Sequence, residues 1–211
     1  MSQFAPWESL EAQGQRSSEN GSSHRIELIG SQLRATADLK VPATQRVSDY
    51  FGLLQGFCRV SDLVLLTPLG KLSRIRLREA RIRLDDIAVV GESRQCNCSD
   101  ARSAETLRAL FVPKRPHRLV VMTPDLLIYG DTHLTQNGSV TAFIDAEHPR
   151  FVPMTNVRVR WLADRRLASR YNFALLQRSH IIGFELQADG GAAVESFHIP
   201  GADFGADQSW S

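Results

Sequence analysis

Two stretches of the chain lie over one another at a nearly constant spacing, which constrains the fold more than any single motif does. At a separation of 93, Leu33 falls on Leu126, Asp38 on Asp131, Val47 on Val140 and Ser48 on Thr141. At 94, Phe57 falls on Phe151, Ser61 on Thr155, Asp62 on Asn156 and Leu63 on Val157. The same spacing runs on through Lys71 on Arg165, Arg76 on Arg170, Ala80 on Ala174, Ile87 on Ile181 and Val90 on Phe184. Few of these are identities. Apolar, small and turn positions nevertheless stay in phase, which points to an internal repeat. The doubled "RVSD" at Arg46–Asp49 and Arg59–Asp62 is not the repeat unit, because its two copies correspond to "SVTA" and "PMTN".

Each stretch reads as a run of short strands broken by one helical turn. "HRIELIG" and "HRLVVMT" open them, and "LRATADLKVP" and "LLIYGDTHL" follow after a tight turn. A helical turn comes next, over "SDYFGLLQG" in the first stretch. There Ser48 is expected to accept the orphan N–H groups, with Asp49 at the positive end and Thr141 in the place of Ser48 in the second stretch. Long apolar strands follow ("FCRVSDLVLL", "FVPMTNVRVRWL"), then two more ending in "DDIAVV" and "SHIIGF". The expected fold is mainly β: two tandem small β-barrel or bent-sheet modules, each with one short helix. Modules this small have little core of their own and should pack side by side.

The spacing sets the expected boundaries. Residues 1–24 are rich in Ser, Gln, Glu and Gly and are expected to be a disordered N-terminal tail. The modules are 25–91 and 117–188, joined by a linker at 92–116 with a short helix near Ala101–Phe111. Residues 189–211 form a Gly- and Ala-rich tail in which "VESFHI" could add an edge strand. A formal charge of +2 exerts no global pull toward nucleic acid or membrane. Without a basic-then-apolar leader or about eighteen consecutive apolar residues, neither secretion nor membrane insertion is expected. Three cysteines cannot all pair, and Cys58 sits in an apolar run as a small buried hydrophobe. A reducing cytoplasm is the expected location.

The motif Arg46-Val47-Ser48-Asp49, then Phe57, Val60, Ser61, Asp62 and Leu63, then Ile87, resembles a functionally uncharacterised bacterial family of small β-domains. The second copy carries Phe151, Met154, Thr155, Asn156, Val157 and Ile181, but has Gly138 and Ala142 in the region of the first motif. More distantly, strand order and length are similar to Sm-like or SH3-like small barrels. The Asp-x-Met-Asn loop and the later Arg-Gly pair of Sm proteins are absent, so RNA binding does not carry over. The resemblance implies a small β fold and brings no catalytic residues.

Motifs that carry chemistry are scarce. Ser48–Asp49 and Ser61–Asp62 have no His nearby to activate a hydroxyl, so a helix cap and a strand-end turn are the preferred readings. Cys96 and Cys98 are two apart, whereas a zinc site wants four ligands, and the six histidines are scattered. Whether these two cysteines have a redox or metal role stays open. Asp145, Glu147 and His148 read as a solvated helix end. Asp203-Phe204-Gly205 lacks the Gly-rich loop and catalytic loop of a kinase. No catalytic residue, metal site or cofactor is expected, and the chain reads as a non-enzyme.

One charged pattern has geometric content. Of 25 Lys and Arg, 22 are Arg, a bias for which a GC-rich coding sequence is the preferred explanation and a need for planar bidentate donors the sharper alternative. In "KLSRIRLREARIRLDD", Arg74, Arg76 and Arg78 alternate with Ile75 and Leu77, which puts guanidinium groups on one strand face and apolar groups on the other. Arg81 and Arg83 continue after a phase shift at Glu79–Ala80 that suggests a bulge. Arg158, Arg160, Arg165, Arg166 and Arg170 surround the corresponding hairpin. A solvated outer face explains the pattern, and so does a docking surface for an acidic partner. The leading expectation is a non-catalytic interaction or scaffold protein that docks a protein partner through exposed strands or Arg-rich faces. The alternative is an anion or nucleic-acid binder, and homo-oligomerisation is left open.

Overall fold

The computed structural model describes residues 21–31, 33–43, 45–66, 75–92, 113–164 and 167–187. Ten strands are found there: β1 Gly21–Ile29, β2 Arg34–Pro42, β3 Phe57–Leu65, β4 Ile75–Arg83, β5 Val89–Glu92, β6 Lys114–Met122, β7 Leu126–Thr135, β8 Phe151–Trp161, β9 Ala168–Gln177 and β10 Gly183–Leu186. A short helix, α1 (Val47–Leu53), lies between β2 and β3, and α2 (Val140–Asp145) between β7 and β8. Turns of 3-10 helix, Leu84–Asp86 and Arg178–His180, precede β5 and β10. The protein is mainly β, as its alternating sequence implies.

All ten strands belong to one antiparallel sheet, ordered β10-β6-β7-β8-β9-β5-β1-β2-β3-β4. The two stretches expected as tandem barrels or bent sheets are joined by continuous hydrogen bonding in one sheet, because β5 pairs with β9: Val89 faces Leu176, Val90 faces Leu175 and Gly91 faces Ala174. β1 also begins at Gly21, ahead of the expected start at residue 25. The N-terminal tail before it, the linker helix, Cys96, Cys98, Arg74, Arg165, Arg166 and the "VESFHI" segment lie outside the described residues.

Registers in the two halves agree. Arg25 faces Asp38 in β1–β2, and Arg118 faces Asp131 in β6–β7. Asp38 faces Ser61, and Asp131 faces Thr155. Val60 faces Ala80, and Met154 faces Ala174. Leu28 faces Val90, and Val121 faces Phe184.

Alternation along β1 and β5 divides the interior in two. Ile26, Leu28 and Val90 join Ala35, Leu39, Phe51, Val60 and Leu63 in one core. Ile29 and Val89, one residue out of phase, join Leu119, Ile128, Met154 and Trp161 in the other. Each core borrows from the opposite half. Phe151 and Leu175 complete the first core, while Ile29, Ala88 and Val89 complete the second. Phe151 meets Phe51 edge-on at 5.5 Å between ring centres. Burying such a ring contributes on the order of 2 kcal/mol, so the seam is part of what holds both halves.

The helix starts differ from the sequence expectation. Ser48 lies inside the first turn of α1, where Arg46 is the N-cap and makes no side-chain cap bond. The Ser48 hydroxyl instead donates to Asp49 at 3.4 Å. In α2 the cap is Ser139, whose Oγ accepts from the Ala142 amide at 3.3 Å, and not Thr141. Val47 and Phe51 are buried at i and i+4, so packing of this face fixes α1 without a side-chain cap.

Candidate interaction edges

The bulge expected at Glu79–Ala80 is not in β4. β4 pairs with β3 in unbroken register, from Phe57 with Arg83 to Leu65 with Ile75. The extra residue lies in β3, where pairing with β2 slips between Thr36 and Asp38. Asp62 takes the left-handed conformation there, at φ 47°, and so sits within a strand and not in a strand-end turn. Its counterpart Asn156 has φ 54°, at the slip between β7 and β8. Asp and Asn tolerate this backbone better than other side chains. Arg25 braces the first bulge, donating to Asp38 at 2.9 Å and to the Asp62 carbonyl at 3.4 Å. Arg118 and Asn156 brace the second, donating to buried Asp131 at 3.2 and 2.9 Å.

Among the described residues, β4 forms one edge of the sheet and has a single strand neighbour. Arg76, Arg78, Arg81 and Arg83 are all exposed on it. The apolar face expected opposite Arg76 and Arg78 is open as well, with Ile75 50% and Leu77 40% exposed, and in the unbroken register Arg81 and Arg83 share that face instead of the one that Arg76 and Arg78 occupy. Ala80 and Ile82 alone are half-buried against the first core. Arg76 meets Asp62 at 3.0 Å, Arg83 meets Asp85 at 3.5 Å, and neighbouring Arg59 meets Glu79 at 2.9 Å. These exposed pairs leave side chains able to exchange partners.

Arg158 and Arg170 face each other directly across β8 and β9, both exposed, with Arg160 half-buried beside them. In the sheet order β5, β1, β2 and β3 stand between β9 and β4. The two Arg groups are thus separate along the sheet and do not form one stripe.

The opposite edge, β10, escaped sequence reasoning. Ile182, before β10, is 60% exposed, and Met122, at the end of its neighbour β6, is 44% exposed. Their counterparts Ala88 and Ile29 are fully enclosed at the seam. Phe57, 56% exposed at the start of β3, has buried Phe151 as its counterpart. Comparing the two stretches for residues whose partners differ in polarity would have pointed to this edge.

The seam itself is tightly built. Arg34 donates to Glu27 at 2.6 Å and to Ser169 at 3.1 Å, and its guanidinium carbon lies 5.2 Å from the Trp161 ring centre. Burial, reinforced by the Glu27 charge, holds the Tyr171 hydroxyl above the usual phenol range. Cys58 is buried and its thiol is pushed up to about 12 by desolvation, which makes it a packing residue and not a nucleophile. Asp145, the last residue of α2, and Glu147 and His148 just beyond it are exposed. Among the described residues no three His, Cys, Asp or Glu gather as metal ligands, and no helix is long and apolar enough to cross a membrane.

Comparison with family models, curated proteins and solved structures gives no match.

Proposed function

We propose that this chain is a non-catalytic interaction protein made of two like modules, docking a protein partner through its open sheet edges in the cytoplasm. The exposed β4 edge carries the reading. Among the described residues it has no strand beyond it, and it carries four Arg and two large apolar side chains. Strand addition draws affinity from backbone groups and selectivity from flanking side chains. The Arg groups suit acidic side chains on the partner, since guanidinium pairs carboxylate in a bidentate fork. The shared element order and registers support the two-module reading.

The test is affinity capture with the full chain and with a variant carrying Gln at Arg76, Arg78, Arg81 and Arg83. Loss of the captured protein with an unchanged melting temperature is the expected result. Equal capture by both chains overturns β4 as the docking edge.

A second reading, anion or nucleic-acid binding, is favoured by Arg158 facing Arg170. Like charges placed directly opposite destabilise a sheet unless an anion relieves them. Binding to a duplex or single-stranded oligonucleotide that falls steeply with salt, and is lost in Arg158→Gln/Arg170→Gln, would establish it. Salt-independent or absent binding removes it.

A further inference from the structure

The β5–β9 seam is a docked pair of edges inside one chain, and among the described residues the counterparts of those same edges stand at the two ends of the sheet with no strand beyond them. In the sheet order β4 corresponds to β9, and β10 to β5. We propose that the β4 edge of one copy pairs with the β10 edge of a second copy, repeating the seam head to tail between molecules. This rests on the reading of the edges as docking strands and names their partner as the same chain.

The placement of exposed apolar residues carries the inference. Phe57, Ile75, Leu77, Met122 and Ile182 are exposed. Their counterparts Phe151, Ser169, Tyr171, Ile29 and Ala88 are all buried, and all lie at or beside the in-chain seam. Exposed apolar side chains scattered singly need no explanation, whereas five at seam-equivalent places mark a contact. Three belong to the β3–β4 end and two to the β6–β10 end, so each end supplies part of one joint.

Side chains also change in matched pairs. In the chain, Arg34 reaches Ser169 at 3.1 Å, a polar group on each side of the seam. Their counterparts are Leu127 and Ile75, apolar on both sides. Val90 faces Leu175 in the chain, and the corresponding pair between copies is Phe184 with Arg81. A guanidinium over an aromatic ring is a favourable replacement for two aliphatic groups. Transferring the register sets Gly183 against Ile82 and Glu185 against Ala80. Glu185 then lies opposite Ala80 on the face that Arg78 shares, where its charge is opposed.

A joint of this kind uses different surfaces on the two copies, so it closes into a ring or propagates as a filament. Sedimentation of the full chain across the micromolar range tests it, beside two variants. One carries Asp at Phe57 and Leu77, the other Asp at Met122 and Ile182. The full chain is expected to sediment as multiples of 23.5 kDa, and each variant alone as the single chain. Mixed, the two variants should form a one-to-one pair and stop there, because each keeps the end the other lacks. All four positions are exposed, and circular dichroism checks that both variants fold. Independently, a chain carrying Ala80→Cys and Glu185→Cys, with Cys96 and Cys98 replaced by Ser, should form disulfides between copies on oxidation.

A full chain that stays at 23.5 kDa throughout overturns the proposal, as do multimers that survive both variants, variants that fail to recombine, or absent cross-links. If the chain stays single yet still captures a different protein through Arg76, Arg78, Arg81 and Arg83, the interaction reading stands and only self-assembly falls.

Discussion

Gly91 and Tyr171 meet across the seam so closely that a Cβ on Gly91 would lie 2.3 Å from the tyrosine ring. The ring therefore occupies the place of a side chain. Gly91→Val forces Tyr171 or the β5 backbone to move, and should destabilise the protein by about 1–3 kcal/mol, as overpacking does. Urea denaturation measures the loss. Adding Tyr171→Ala should recover part of it, since the two changes act on one contact.

The bulge braces differ in burial, and their energetics should follow. Asp131 is 7% exposed and accepts from Arg118 and Asn156. Asp131→Ala removes a buried carboxylate that ties Arg118 and Asn156 to the bulge, and should cost about 1.5–3 kcal/mol, as loss of hydrogen bonds to a charged group does. Asp38→Ala, at the more exposed equivalent, should cost less. Chemical denaturation of both variants decides the order, and equal losses would mean that burial is not the cause.

Helix starts offer a contrast between two serines. Ser139 caps α2 and Ser48 caps nothing, so Ser139→Ala should cost about 1 kcal/mol. Ser48→Ala should stay within about 0.5 kcal/mol, as for substitutions away from specific features. A serine-directed covalent probe should leave Ser48 unlabelled.

Stability should fall in alkali. The Cys58 thiol titrates at about 12 when folded, against an ordinary value of 9.0. The unfolded chain thus loses this proton first. The folded-state advantage is full below pH 9 and is lost as pH rises toward 12. Burial raises the Tyr50 and Tyr171 hydroxyls too, which adds in the same direction. Melting temperature against pH should decline through this window, and less steeply in Cys58→Ala. At pH 8, alkylating agents should reach Cys58 only after unfolding.

Strand positions were legible because alternation is a local signal, and the burial of Cys58 followed from the apolar run around it. The seam was not legible. Pairing β5 with β9 is a long-range choice that neither strand's own pattern encodes, since Val89 and Val90 suit any two-sided interior. The same limit explains Ile75 and Leu77. Alternation predicts which residues share a face, but whether that face is covered depends on the neighbouring strand, and β4 has none beyond it among the described residues. Ser48 misled for a different reason: a cap is defined by where packing starts the helix, and Val47 starts it two residues early. Arg76, Arg78, Arg81, Arg83, Arg158 and Arg170 are exposed and Arg160 is half-buried, and the separation of the two groups rests on sheet order, which composition does not carry.

Because Phe151 and Leu175 finish the first core while Ile29, Ala88 and Val89 finish the second, neither interior is closed by its own half alone. Opening the seam would wet both interiors at once. The slowest-exchanging amides of β1, β2, β7 and β8 should therefore report one shared opening free energy, and a disturbance on either side will be felt by both.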